Sequence, residues 1–355
     1  MRAALFYGKE DIQVKDVPDP TDSCDKILVD IEWCGLCGSD LHLFQHGPEV
    51  FGDLTKHGEE LPYALGHEFC GRVNSAPPGS GFKHGDPVMI DPRLPCGQCI
   101  ECKSGKDYGC PKQGGIGYNH SGGLAEKVTV PARNLHRLPE TVPLEFAALI
   151  EPFAVVMHAI RKLNISDWTE QDVLVLGGGP IGFALVIALR SYKPRKIIVS
   201  EPTAVRREKI AQFVDLVVDP LERNVPAACR QLCAGGVDVV FDCAGSAPGL
   251  VDGLDALKCE GKYMNIAMHE KPMTLSALPL ALKHVTIIFS AVYNATDMDE
   301  TIKLFAQGTF HGYEGMVTKR MLVDDVVKEG FKELIEHKDD HIKILITPKA
   351  HLIEG

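Results

Sequence analysis

At 355 residues, with 45% hydrophobic and 24% charged side chains, the chain has the make-up of a soluble globular protein long enough for two domains. A formal net charge of −11 argues against a nucleic-acid partner, because neutralising phosphates needs a basic face. No low-complexity tract, like-charge block or internal repeat interrupts the chain, and no membrane partner is expected.

The first stretch, MRAALFYGKEDIQVKD, has too short an apolar run for a signal peptide and reads as a strand followed by a turn. Without an export signal, the twelve cysteines are expected to be reduced thiols in a cytoplasmic protein. Up to about Ile150 the chain is rich in strands and turns. Short apolar segments such as KILVDIEW, HEFCGRVN, DPVMI and LAEKVTV alternate with Gly, Pro and Asp clusters.

This region carries metal-ligating residue types in three separated segments. CGLCGSDLH supplies Cys37, Ser39, Asp40 and His42; LGHEF supplies His67 and Glu68; LIEPFAVVMHA supplies Glu151 and His158. One Cys, one His and one carboxylate can make a three-ligand zinc site with a fourth position open for substrate. Spacing does not choose Cys37 over Cys34, or Glu151 over other acids, and Cys34 and Cys70 read equally well as buried apolar filler.

Between these segments, CGQCIECKSGKDYGC places Cys96, Cys99, Cys102 and Cys110 in a C-x2-C-x2-C-x7-C pattern. Short C-x2-C loops let neighbouring thiolates converge on tetrahedral zinc, and four thiolates leave no position for substrate. A closed, structural zinc site is expected, in preference to a redox C-x2-C pair.

After about Ile150 the texture changes. DVLVLGGGPIGFALVIALRSYKPRKIIVSEP reads as strand, glycine turn, helix and strand, and GVDVVFDCAGS and GKYMNIAM supply further buried strands. The apolar run Val173 to Leu189 is broken by GGGP and is not a membrane span. Apolar strands alternating with helices predict a parallel, doubly wound sheet.

GGGPIG fits the G-x-G-x-x-G pattern through Gly177, Gly179 and Gly182, with Pro180 and Ile181 opening the helix. Coming after an apolar strand and before an apolar helix, it predicts a dinucleotide pyrophosphate on the helix N-terminus. Glu201 ends the next strand, where a carboxylate accepts ribose hydroxyls and repels a 2′-phosphate, which favours NAD over NADP. Arg206 and Arg207, a few residues on, temper that preference, and Arg206 is a candidate cofactor contact. From about Phe289 the pattern is mixed, ending in a helix, VVKEGFKELIEH, and a strand, IKILITP, expected to return to the first domain.

Taken together, GLCGSDLH, LGHEF, the four-cysteine loop, IEP…HA and GGGPIG, in this order, resemble the zinc-dependent medium-chain alcohol dehydrogenase superfamily over essentially the whole chain. Within it the chain is most similar to the (R,R)-2,3-butanediol dehydrogenase group, through LHLFQHGPEVF with the insertion before LGHEF, VSEP, FSAVYN, MVTKRMLVDDVVKEGFKELI and KILITP. The insertion and GIGYNHSGG differ in detail from that group, in loops expected to line the substrate entrance.

The resemblance implies an α/β architecture: a central Rossmann domain, 156–288, and a GroES-like β-barrel catalytic domain from both chain ends, 1–155 and 289–355. It implies Cys37, His67 and Glu151 as catalytic zinc ligands, Asp40 orienting His67, and Glu68 as an alternate or outer partner. Cys96, Cys99, Cys102 and Cys110 would hold a structural zinc, giving two per chain. Ser39, the NAD ribose and His42 would relay a proton. The implied activity is interconversion of a secondary alcohol or vicinal diol and its ketone, of the 2,3-butanediol/acetoin kind, by a homodimer or homotetramer. Alternatives are a sorbitol, xylitol or threonine dehydrogenase, a secondary-alcohol dehydrogenase of a biosynthetic pathway, or an inactive NAD-binding scaffold.

Overall fold

The strand Lys26–Gly35 is buried along most of its length because it has neighbours on both sides. It pairs antiparallel with Glu68–Ser75, with Lys127–Pro131 and with Lys343–Thr347. Around it runs a seven-stranded sheet that also contains Leu135–Arg137, Pro87–Ile90 and Val317–Leu322. The last two strands of the chain, Val317–Leu322 and Lys343–Thr347, run parallel to each other. Arg2–Gly8, Asp11–Asp16 and Tyr63–Ala64 form a separate three-stranded sheet. Side chains including Phe6, Ile27, Val29, Ile31, Leu65, Phe69 and Ile344 fill the core beside them. Each such side chain contributes about 1.5–3 kcal/mol by leaving water.

The structure, a computed structural model, describes residues 1–21, 25–55, 58–269 and 272–353. Lys56 and His57 of the insertion lie outside these residues. The chain divides into two compact units. One comprises Met1–Glu151, Asn294–Gly308 and Val317–Gly355; the other comprises Pro152–Tyr293 and Thr309–Met316.

The second unit contains a six-stranded parallel sheet in the order Leu216–Val218, Lys196–Ser200, Asp172–Leu176, Val237–Asp242, Leu257–Asn265, Thr286–Phe289. Asp172–Leu176 is buried at every position, as a central strand covered by helices on both faces must be. Strand order reverses between Asp172–Leu176 and Val237–Asp242, so a crevice opens beyond their carboxyl ends. The helix Pro180–Tyr192 follows directly from the first of these strands. In the C-terminal run VVKEGFKELIEH the expected helix is present, wound as a π-helix over Val326–Lys332 and as an α-helix over Glu333–Glu336.

Candidate functional site

The helix Gly38–His46 begins with Cys37 as its N-cap, and Asp40 completes a capping box by accepting the Cys37 N–H through Oδ2 at 2.9 Å. The other Asp40 oxygen faces His67 Nδ1 at 3.2 Å, with both side chains buried. One carboxylate therefore caps the helix and sets the imidazole: a proton on Nδ1 is donated to Asp40, and Nε2 is left as a ligand atom. His67 comes immediately before the strand Glu68–Ser75, whose pairing with Lys26–Gly35 brings Glu68 opposite Gly35, close to Cys37.

Ligand atoms of Cys37, His67 and Glu68 all lie within 4.8 Å of one another. Burial opposes charging His67, but Asp40 and Cys37 outweigh it and push the imidazole well above its usual range. The same field favours a metal cation at this point. A soft thiolate, an imidazole with its far nitrogen braced by a carboxylate, and further acids nearby form a donor set that fits zinc.

Glu68 is held from behind. The buried Lys343 Nζ donates to both Glu68 oxygens, at 2.8 and 2.6 Å, and to the Leu36 carbonyl at 2.9 Å. Desolvation works against the ammonium charge, yet Glu68, Cys37 and Glu151 keep the Lys343 pKa raised. Glu151, in the first turn of the helix Ile150–Lys162, is also buried. It stands outside the group gathered within 4.8 Å but is close enough to act electrostatically on both Lys343 and Tyr118.

Ser39 and His42 lie one turn apart on the helix Gly38–His46, a spacing that puts them on one face. Ser39 Oγ is 3.4 Å from His67 Nε2 and 3.4 Å from the Tyr118 hydroxyl. Tyr118 stacks on His67 with ring centroids 4.1 Å apart and 26° between planes. Burial, with the nearby Cys37 and Glu151, drives its phenol pKa well above the usual value, so it stays protonated. Lys343 and Tyr118 were not singled out from the sequence. The one available signal was a lone cation in an apolar strand for the first, and an atypical loop for the second.

Cys96, Cys99, Cys102 and Cys110 form a second such group. The Cys99 and Cys102 sulfurs are 3.4 Å apart, and the Cys96 N–H points to the Cys110 sulfur at 3.4 Å. Backbone N–H groups of Gln98 and Cys99 pull the Cys96 thiol down to about 6. A thiolate at Cys96 is thus favoured before any metal arrives, while the Cys99 and Cys110 thiols are shifted up, and four sulfurs at this spacing fit tetrahedral zinc.

In the second unit, Gly177 follows the strand Asp172–Leu176 and Gly179 caps the helix Pro180–Tyr192, with Pro180 in its first turn and Ile181 next. A Cβ on Gly182 would fall 1.9 Å from the Gly177 carbonyl oxygen, so only glycine lets the turn close on the helix. Glu201 is buried, and its oxygens accept from Gly178 N–H at 2.6 Å and Thr203 N–H at 2.8 Å. Arg207 is tied to Asp219 at 2.8 Å, while the Arg206 guanidinium lies 3.6 Å from where a Cβ on Gly179 would stand. No described helix is long and apolar enough to cross a membrane.

Comparison with known proteins identifies the fold that carries these residues. The model of the alcohol dehydrogenase GroES-like domain matches residues 23–140, and that of the zinc-binding dehydrogenase matches residues 180–307. An (R,R)-butanediol dehydrogenase of Neisseria gonorrhoeae is 34% identical over 98% of this chain and 99% of its own length. A sorbitol dehydrogenase of Halalkalibacterium halodurans is 27% identical over 96% of this chain and 97% of its own. The crystal structure of 2R,3R-butanediol dehydrogenase from Bacillus subtilis superimposes with a TM-score of 0.89 at 28% identity, covering 98% of this chain and 99% of that one. With a GroES-like domain, a parallel α/β dinucleotide-type sheet and likeness to such enzymes from end to end, the chain belongs to the medium-chain zinc alcohol dehydrogenase family of oxidoreductases.

Proposed function

We propose that the chain interconverts a secondary alcohol or vicinal diol and its ketone, of the 2,3-butanediol/acetoin kind, with NAD as hydride carrier. The observation that carries this reading is the Cys37–His67 pair, braced by Asp40, with the Ser39 hydroxyl 3.4 Å from His67 Nε2. A bound zinc ion supplies Lewis acidity that acidifies an alcohol or polarises a ketone, and bound NAD takes up or returns the hydride.

The chain's own residues do the rest. Cys37, His67 and Glu151 hold the catalytic ion, because Glu68 is committed to Lys343 and would leave a buried ammonium unpaired if it swung away. Asp40 keeps the proton of His67 on Nδ1. Ser39 takes the proton of the substrate hydroxyl as it passes its own on, and His42, three residues along the same helix, carries it towards solvent. Cys96, Cys99, Cys102 and Cys110 hold a second, structural zinc, a thiolate site suited to the reducing cytoplasm.

Gly177, Gly179, Pro180, Ile181 and Gly182 receive the NAD pyrophosphate, and Glu201 receives the adenosine ribose. Oligomerisation is supported by the apolar edge of the second unit. The edge strand Thr286–Phe289 leaves Phe289 61% exposed, and the helix Ala277–Leu282 buries no residue, with Leu278 and Leu282 open. A homodimer or homotetramer covers such a surface.

NAD reduction against a panel of vicinal diols, sugar polyols and larger secondary alcohols tests the reading, with highest kcat/KM expected for small vicinal diols. Turnover confined to sugar polyols supports the second reading, a polyol dehydrogenase, favoured by the likeness to the sorbitol dehydrogenase. No NAD reduction by any alcohol in zinc-replete protein defeats both. Metal analysis should return about two zinc ions per chain.

A further inference from the structure

We propose that Tyr118 is a positioning residue for proton transfer: its hydroxyl fixes the Ser39 hydroxyl while its ring holds the His67 imidazole in plane. The inference rests on the reading of Ser39 as proton acceptor given above.

The loop that carries Tyr118 is pressed onto the backbone leading into His67. A Cβ on Gly117 would stand 2.1 Å from the Gly66 carbonyl oxygen, and Gly117 has φ +82°, so the approach requires glycine. Tyr118 itself is pinned on both sides of its peptide. Its N–H donates to the Gly115 carbonyl at 3.0 Å, and its carbonyl accepts from the Tyr63 hydroxyl at 2.9 Å. A backbone fixed this way delivers the ring onto His67, centroids 4.1 Å apart, and the hydroxyl to 3.4 Å from Ser39 Oγ.

A serine hydroxyl is a rotor with one proton and two lone pairs, and it accepts a proton well only when a lone pair faces the donor. Ser39 Oγ touches two side-chain groups, His67 Nε2 and the Tyr118 hydroxyl. Once Nε2 serves a metal it offers Ser39 neither proton nor lone pair, and the phenol remains to direct the rotor. At 3.4 Å this contact is long for two hydroxyls, as befits a resting site that tightens around substrate.

Tyr118→Phe keeps the stacked ring and removes only the oxygen. The expected result is a kcat about 10-fold lower with KM within about twofold, and a larger solvent deuterium isotope effect. Zinc content and NADH affinity, read by metal analysis and fluorescence titration, should not change. In a Ser39→Ala background the same substitution should cost nothing further, because its effect runs through Ser39. An unchanged kcat in Tyr118→Phe, or an equal loss with and without Ser39, overturns the proposal. If Ser39→Ala alone is fully active, the proton-relay reading fails first; if Ser39→Ala is slow and Tyr118→Phe normal, only this inference fails.

Discussion

Cys96, Cys99, Cys102 and Cys110 come from one loop of fifteen residues, whereas Cys37, His67 and Glu68 come from a helix cap and the entrance of a strand. Behind the second group stands Lys343, 275 positions along the chain from Glu68. The loop is largely exposed around its sulfurs, with Ile100 77% accessible and the short helix Ile100–Lys103 burying no residue. Apart from the buried Cys110 and the Arg93–Asp107 ion pair at 3.1 Å, little packing holds it, so a metal on its thiolates is expected to supply much of its order. The second group is held by the sheet, by a capping box and by a buried ion pair, so its geometry belongs to the fold. Loss of a ligand should therefore damage structure in one region and chemistry in the other.

The largest effect is expected at Cys37. Cys37→Ser should lower kcat by at least about 10³-fold, since open-site zinc chemistry is lost, and bring zinc from about two ions per chain to about one. NADH binding and the Tm should stay near those of the parent. A variant that retains two zinc ions and turnover would remove Cys37 from the ligand set. Glu151→Ala distinguishes the two candidate carboxylates: it should lose zinc and activity together, and if it does not, Glu68 is the ligand.

Next comes Lys343→Met, which strands a buried carboxylate without its partner. Breaking a buried pair from one side costs about 3–5 kcal/mol, measurable by urea unfolding. Adding Glu68→Gln should recover most of that loss, because a neutral amide no longer needs the ammonium. Failure of the second change to rescue would show that Lys343 stabilises through the Leu36 carbonyl instead.

Cys99→Ser carries the reverse expectation to Cys37→Ser. It should lower the Tm by on the order of 10 °C, about 3 kcal/mol for a unit of this size, and again leave about one zinc per chain. Turnover per zinc-loaded catalytic site should change little. Equal effects on stability from Cys37→Ser and Cys99→Ser would erase the distinction between a metal-built loop and a fold-built site.

The same distinction explains what the sequence revealed. The four-cysteine loop and GGGPIG were readable because their partners are neighbours in the chain, and ligand spacing or turn chemistry is a local property. The Cys37 and His67 pairing was not, because only strand register and the helix cap bring them together, and choosing Cys37 over Cys34 required resemblance to a family. Cys34 is buried, with its sulfur against Gly66 and Gly123, where burial drives its thiol pKa well above normal, as suits the filler reading. Lys343 was hidden for a further reason. In KILIT, a strand buried at every position, a single lysine looks like the polar end of an edge strand until its ion partner is located.

Glu201 offers the finest test, because a locally legible motif here meets a nonlocal contact. Its carboxylate already accepts the N–H groups of Gly178 and Thr203, which orient it without consuming its remaining lone pairs. Two ribose hydroxyls can use those lone pairs, whereas a 2′-phosphate would place a second anion against a buried one. Glu201→Ala should lower the ratio of kcat/KM for NAD over NADP by about 10-fold, equivalent to about 1.4 kcal/mol. It should also loosen the Gly178 turn, so KM for NAD should rise more than kcat falls. Arg206→Ala in the Glu201→Ala background should then restore part of the ratio, since that guanidinium lies beside the glycine turn, 3.6 Å from a Cβ position on Gly179, where it can favour the extra phosphate. An unaltered cofactor ratio in Glu201→Ala would place discrimination elsewhere and leave Glu201 as a brace for the turn alone.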